Sequence, residues 1–179
     1  MSAGDESTGR SGVRLNVHGR GEASVETGLP VLDSLLERLA AVARFDLVLE
    51  LAPGDAAAEV DAAGAALGDA FAGFLRAPGA TGWGAASLTS AEALAHVVLE
   101  VADEPLLVSN VDLTEARIGG LGSDVARRFL ERFADGAGLV LHVRLLNGTD
   151  TQHVLEAIFK ALGVALAAAC TQPRLKVDA

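Results

Sequence analysis

The hydrophobic positions of this chain change period as the chain advances. In VRLNVH, residues 13–18, Val13, Leu15 and Val17 alternate with polar neighbours, which predicts a strand with one buried face. EASVE adds a short return strand. From Pro30 the spacing becomes helical. Leu32, Leu35, Leu36, Leu39 and Ala43 form one apolar stripe, and proline suits a first turn whose N–H has no partner in the helix. FDLVLEL alternates again, with Phe45, Leu47, Leu49 and Leu51 facing inward. PGD at 53–55 reads as a turn, with Asp55 placed to cap the alanine-rich helix that follows, to about Leu75.

The pattern then recurs. LLERLAAVARFDLVLEL (35–51) resembles FLERFADGAGLVLHVRL (129–145): Leu36-Glu37-Arg38 matches Leu130-Glu131-Arg132, and Ala40 matches Ala134. DAAGAALGDAF (61–71) matches EAIFKALGVAL (156–166) at an offset of 95, with Ala62, Ala66, Leu67, Gly68 and Ala70 identical to Ala157, Ala161, Leu162, Gly163 and Ala165. Strands are predicted near 84–89, 93–101 and 106–110. A helix after Ser123 carries Val125, Ala126, Phe129, Leu130 and Phe133. One supersecondary unit is used twice. The expected fold is α+β, a duplicated ββαβα unit over about 13–76 and 82–170, with sheet strands on one side and helices packed on the other. Residues 13–179 form one domain, and the polar stretch MSAGDESTGRSG, residues 1–12, reads as a disordered tail.

Composition narrows the function classes. Half of the 179 residues are hydrophobic, 21% are charged, and mean hydropathy is +0.36. Such a chain either exposes much alanine or buries surface against other subunits, so a homo-oligomer larger than a dimer is expected. A net charge of −10 repels phosphate backbones and excludes nucleic acid as a partner. The single cysteine, Cys170, follows ALAAA on an apolar segment and reads as a buried small hydrophobe, with no internal disulfide. The N-terminus has no apolar h-region, and the longest apolar stretches look too short to span a bilayer. No membrane is expected, and a cytoplasmic location is.

The segment TQHVLEAIFKAL, 151–162, carries the chain's most suggestive chemistry. On a helix, His153, Glu156 and Lys160 share one stripe. That stripe is either a solvated face, with a Glu156–Lys160 ion pair of about 0.3–0.5 kcal/mol, or a site. His142 alternates with Leu141 and Val143 and belongs to a polar strand face. His18 and His96 have no acidic or histidine neighbour at ligand spacing. Asp61 lies near a helix start, where a carboxylate is favourable.

The duplication, with TGLPVLDSLLERLA, FDLVLEL, ALGDAF, LVLHVRLLNG and HVLEAIFKAL, resembles imidazoleglycerol-phosphate dehydratase, the manganese-dependent hydro-lyase of histidine biosynthesis. The likeness runs from about 13 to 177. It implies a ribosomal-protein-S5-domain-2-like fold and a closed shell of 24 subunits with active sites between them. It also implies two metal ions held mainly by histidines, an acid–base group, and basic residues for the phosphate. Most of those parts are replaced. The family's DHML histidine falls on Ser34, and the histidine ending that helix falls on Val42. Its first HHxxE falls on Ala57, Ala58 and Asp61, and a further histidine falls on Arg128. Its second HHxxE reads Gln152, His153, Val154, Leu155, Glu156, followed by the family's lysine, Lys160. The arginine of RFG falls on Gly82, that of GRP on Glu104, and STK on Arg174-Leu175-Lys176. The N-terminal glutamate falls on Thr8.

What the resemblance leaves is a remnant site. His153, Glu156 and Asp61 remain as metal ligands, Glu156 and Lys160 as catalytic groups, and Arg174 and Lys176 as phosphate contacts. Ser34, Val42, Ala57 and Ala58 offer no imidazole, and Glu104 repels a phosphate where an arginine would hold it. The expectation is a non-catalytic paralogue with no tightly bound metal, acting as a scaffold or partner-binding subunit. Two other readings stay open: an active dehydratase, complemented by a histidine-complete partner chain in a hetero-assembly, and a small-molecule binder or enzyme repurposed around the surviving residues.

Overall fold

The computed structural model describes residues 11–112, 117–118 and 121–171. In chain order the elements are β1 (Gly12–Asn16), β2 (Ala23–Glu26), α1 (Pro30–Ala43), β3 (Asp46–Glu50) and α2 (Ala56–Leu75), followed by β4 (Trp83–Ser90), β5 (Ala93–Val101), β6 (Leu106–Ser109), β7 (Arg117–Ile118), β8 (Leu121–Gly122), α3 (Ser123–Ala137), β9 (Leu139–Asn147) and α4 (Thr151–Cys170).

The first sheet has the order β1-β3-β2, with β1 antiparallel and β2 parallel to β3. The short return strand expected at EASVE therefore does not pair back on β1. The α1 crossover carries the chain over the sheet, so β3 enters between the two and runs parallel to β2. The second sheet has the order β4-β5-β9-β6, with β5 antiparallel and β6 parallel to β9. Its β5-β9-β6 portion repeats β1-β3-β2, and β4 is an added edge strand.

The helices stand between the sheets. In the first unit α1 packs on β2 and β3, and α2 on β1. In the second, α3 packs on β6 and β9, and α4 on β4 and β5. The units join by exchange, because α1 packs on α4 and α2 on α3. The layers are thus one sheet on each side of the helices, rather than strands on one side and helices on the other. A run of aromatic contacts ties the units together: Phe45–Phe71 at 5.3 Å, Phe71–Phe133 at 5.8 Å, Phe129–Phe133 at 6.2 Å and Phe129–Phe159 at 5.5 Å between ring centroids.

Helix α4 is 20 residues long and apolar enough to cross a bilayer by length and composition, which corrects the expectation that no apolar stretch is long enough. Burial explains the apolar character of this helix, since Val154 through Phe159, and most positions beyond, are enclosed by α1, β4 and β5. Cys170 is buried at its end, and burial pushes the thiol up to about 11.

Glycine sets how closely the units approach. A Cβ on Gly68 would lie 2.5 Å from the Phe133 carbonyl oxygen, and one on Gly163 would lie 2.6 Å from that of Leu39. These two glycines are equivalent in the repeat, and so are the backbones they meet. We expect Gly68→Ala and Gly163→Ala each to destabilise by about 1–3 kcal/mol, the cost of overpacking. Gly73, on the same α2 helix, has nothing within 4 Å of an added Cβ, so Gly73→Ala is expected to stabilise by about 0.5–1 kcal/mol through helix propensity. Urea unfolding of the three variants checks the contrast.

Candidate functional site

The α4 stripe meets one tight turn. Ser90 and Ala93 pair, so Ala91 and Glu92 form a two-residue hairpin connection between β4 and β5. Ala91 adopts φ +48°, a left-handed conformation that costs a residue with a Cβ. The stripe holds this turn residue by residue. Lys160 Nζ donates to the Thr89 carbonyl at 2.6 Å, Ser90 Oγ donates to Glu156 Oε2 at 2.7 Å, and His153 Nδ1 donates to Glu92 Oε2 at 2.6 Å. Glu92 Oε1 accepts from the Asp150 N–H at 3.0 Å, and the Asp150 side chain caps α4 by accepting from the His153 N–H at 3.1 Å.

The stripe is therefore not a solvated face. Glu156 is 8% exposed, and no Glu156–Lys160 ion pair forms among the described residues. Lys160 is turned to the hairpin carbonyl instead. Glu156 faces α1, where Arg38 Nη2 approaches its Oε1 at 3.4 Å, and Gln152 Nε2 donates to the same oxygen at 3.1 Å. Both Glu156 oxygens are thus occupied by protein donors. Burial alone would push this carboxyl up. The hydrogen bonds from Ser90 and Gln152 and the Arg38 charge outweigh burial and hold it below the usual glutamate value.

Asp61 is the equivalent residue on α2, and its surroundings repeat the arrangement with more charge. Arg128 of α3 grips it at both oxygens, Nε to Oδ1 at 2.6 Å and Nη2 to Oδ2 at 2.7 Å, and Arg132 Nε lies 3.6 Å from Oδ1. The Arg128 hydrogen bonds hold Asp61 low and in turn raise the Arg128 guanidinium. Arg132 and Arg38 are matching residues of the repeat. Each second-helix carboxylate is paired with an arginine from the first helix of the opposite unit.

The pooled ligand set of His153, Glu156 and Asp61 is not brought together. His153 and Glu156 face α1 and the β4–β5 hairpin, while Asp61 faces α3. Ser34 and Val42 are exposed on α1, and Ala57 and Ala58 are exposed at the start of α2. Gly82 has φ +73°, which an arginine there would adopt only under strain. Glu104 is exposed after β5. Arg174 and Lys176 lie outside the described residues.

The donors do not fit the family's manganese. A divalent ion needs several free nitrogen or carboxylate donors converging on one point. Here the carboxylates are committed to arginines, and His153 Nδ1 to Glu92. Among the described residues, no group of three His, Cys, Asp or Glu side chains is placed to hold a metal ion.

Sequence reasoning missed Arg38, Arg132, Ser90, Glu92 and Gln152 as partners of the site. Two of them left a signal. The Leu-Glu-Arg triplet retained in both units marked Arg38 and Arg132 as the matched cations. The hairpin residues gave none, because only the three-dimensional register brings Ser90 and Glu92 onto α4.

The hydrogen bonds of the hairpin clamp set the sign of the pH dependence expected of it. The Glu92 hydrogen bond raises His153 above its ordinary 6.5, so its stabilising contribution is complete below about pH 6.5 and is lost as pH rises through the folded value. Glu92 is pulled down to about 2, first by the Asp150 N–H, and Glu156 is also lowered. Their contributions are complete above the ordinary glutamate range and are lost as pH falls through the folded values. The thermal midpoint should therefore fall on both sides of a plateau. His153→Gln should flatten the alkaline limb and leave the acid limb, which a thermal scan across pH 3–9 reads directly.

Known proteins give this arrangement its context. The family description imidazoleglycerol-phosphate dehydratase matches residues 27–166. A protein of that name from Pelobacter propionicus is 39% identical over 157 residues, 85% of this chain and 80% of the relative. One from Trichlorobacter lovleyi is 35% identical over 175 residues, 94% of this chain and 89% of the relative. The crystal structure of the Staphylococcus aureus dehydratase aligns with a TM-score of 0.82 at 24% identity, covering 90% of this chain and 93% of that one. The Pyrococcus furiosus structure aligns at 0.76 and 22% identity, covering 93% and 92%. The solved structures agree in fold, the curated relatives agree across nearly the whole sequence, and the chain belongs to the imidazoleglycerol-phosphate dehydratase family.

Proposed function

We propose that this chain is a non-catalytic member of its family, a scaffold or partner-binding subunit in which the former ligand carboxylates, Glu156 and Asp61, serve in ion pairs between the two halves. One observation carries the reading: both surviving carboxylates, Glu156 and Asp61, are held by arginines of the facing unit. An arginine at this spot supplies the positive charge that a metal ion would otherwise bring, and it repels an incoming cation. Gln152, at a family histidine position, serves as a hydrogen-bond donor to Glu156. The protein works in the cytoplasm as a homo-oligomer, in keeping with its apolar composition.

A second reading is a dehydratase completed by another chain. It is favoured by the exposure of Ser34, Val42, Ala57 and Ala58, which leaves room for donors from a neighbouring histidine-complete subunit at those positions. It is also favoured by the shared name of the curated relatives.

Elemental analysis after purification without chelator separates the readings, followed by a dehydratase assay with added manganese. The expected result is no stoichiometric manganese and no turnover by the chain alone. Two metals per chain, or turnover abolished by Glu156→Gln, would overturn the proposal. Turnover that arises only on mixing with a histidine-complete dehydratase, above the activity of that enzyme alone, would select the second reading. Calorimetry adds a further expectation for the altered phosphate positions, Gly82 and Glu104: imidazoleglycerol phosphate should show no micromolar binding.

A further inference from the structure

Two matching places in the fold are packed differently. In the first unit the space between β2 and α1 is closed, with Val25 5% and Leu32 2% exposed. Val25 pairs with Leu49 as Ser109 pairs with Val143, so Ser109 stands at the place of Val25. The match of Leu36 with Leu130, carried four residues back, sets Ala126 at the place of Leu32. Ser109 and Ala126 are only half-buried. Between β6, α3 and α4 they line a cavity of about 460 Å³, within the size range of small-molecule sites. The larger α4 residues there, Leu155 and Ile158 in place of Val60 and Ala63, do not refill it. One half closes this space with valine and leucine, so the fold itself does not call for a cavity in the other.

The lining has two parts. Leu130, Val143, Leu155 and Ile158 form an aliphatic floor. The mouth carries opposite charges, because Asp124 and Arg127 both line it and stand three residues apart on α3, near enough to pair. They do not pair. Arg127 Nε donates to Glu131 Oε1 at 2.9 Å, which leaves both Nη groups. Among the described residues Asp124 forms no hydrogen bond or ion pair. Ser109 Oγ accepts the Val111 N–H at 3.1 Å, and its own proton goes to no acceptor among the described residues. Asn110, also at the mouth, is committed to Leu145, whose N–H and carbonyl it holds at 2.8 and 3.2 Å. Asp112 completes the rim.

We propose that this cavity binds a free apolar α-amino acid, with its ammonium on Asp124, its carboxylate on the Arg127 Nη groups and its side chain on the aliphatic floor. A zwitterion meets both open charges at once, whereas a simple amine or a simple acid leaves one of them unmatched. The apolar side chain removes the floor from water. The inference goes beyond the scaffold reading above and does not rest on it, since none of these residues stands at a metal or phosphate position of the family.

Calorimetry of the full chain with L-phenylalanine tests this, beside its two matched halves: phenethylamine, which lacks the carboxylate, and 3-phenylpropionate, which lacks the ammonium. L-Phenylalanine should bind with a dissociation constant on the order of 1 mM or tighter, and each half at least tenfold more weakly. Asp124→Asn and Arg127→Gln should each weaken L-phenylalanine at least tenfold. Arg127→Gln should leave phenethylamine unchanged, a contrast that a loss of fold would not produce. Ala126→Leu, which copies the residue of the first unit, should abolish binding, and the smaller Ala126→Val should weaken it, with circular dichroism confirming that both are folded. No binding of L-phenylalanine at millimolar concentration would overturn the site. So would equal affinity for phenethylamine, or binding indifferent to both Ala126 variants.

Discussion

The structure depends on how closely the helices of one repeat approach those of the other. Gly68 and Gly163 leave no side chain between their helix and the backbone of the facing first helix. The two contacts match: Gly68 meets Phe133, and Gly163 meets Leu39. A crossing fixed at these points also fixes what lies two turns along. Asp61 and Glu156 each precede their glycine by seven residues, and Arg132 and Arg38 each adjoin the backbone that the glycine touches. The carboxylate–arginine meetings follow from the glycine contacts.

That geometry accounts for the chemistry of the site. Two carboxylates at matching positions of α4 and α2 each face a helix that carries an arginine. Here both are neutralised by arginine, with Arg128 adding a bidentate grip at Asp61. Gln152 and Ser90 complete the donor set at Glu156. A buried carboxylate with its oxygens already paired gives up those bonds before it ligates anything else, and that exchange is unfavourable once the positive charge is part of the protein. The hairpin clamp follows the same logic. His153, Glu156 and Lys160 bind the turn between β4 and β5 through Glu92, Ser90 and Thr89, the residues that surround Ala91.

Much of the fold was legible in the sequence because periodicity and repetition both report on it. The stripe of Leu32, Leu35, Leu36 and Leu39, the alternation from Phe45 to Leu51, and the cap at Asp55 all appear as read. The strand order was less legible. Whether EASVE folds back on β1 or lies across β3 depends on the path of α1, and local pattern does not encode that path. The resemblance sets Ser34, Val42, Ala57 and Ala58 where the family's histidines are expected, a comparison that needs only the sequence. The fate of the survivors was not legible there. A Glu–Lys pair at i,i+4 looks like a surface ion pair in one dimension, and only the packing of α1 on α4 turns Glu156 inward to Arg38.

The central claim is that arginine has taken the place of the metal as the counter-charge between the repeats. A double-mutant cycle on Arg38→Met and Glu156→Gln, read as unfolding free energy in urea with and without manganese, tests it most directly. The account predicts a coupling of at least about 0.5 kcal/mol between the two residues, with wild-type stability unchanged by manganese. Additive single variants, together with a wild type that manganese stabilises, would contradict it.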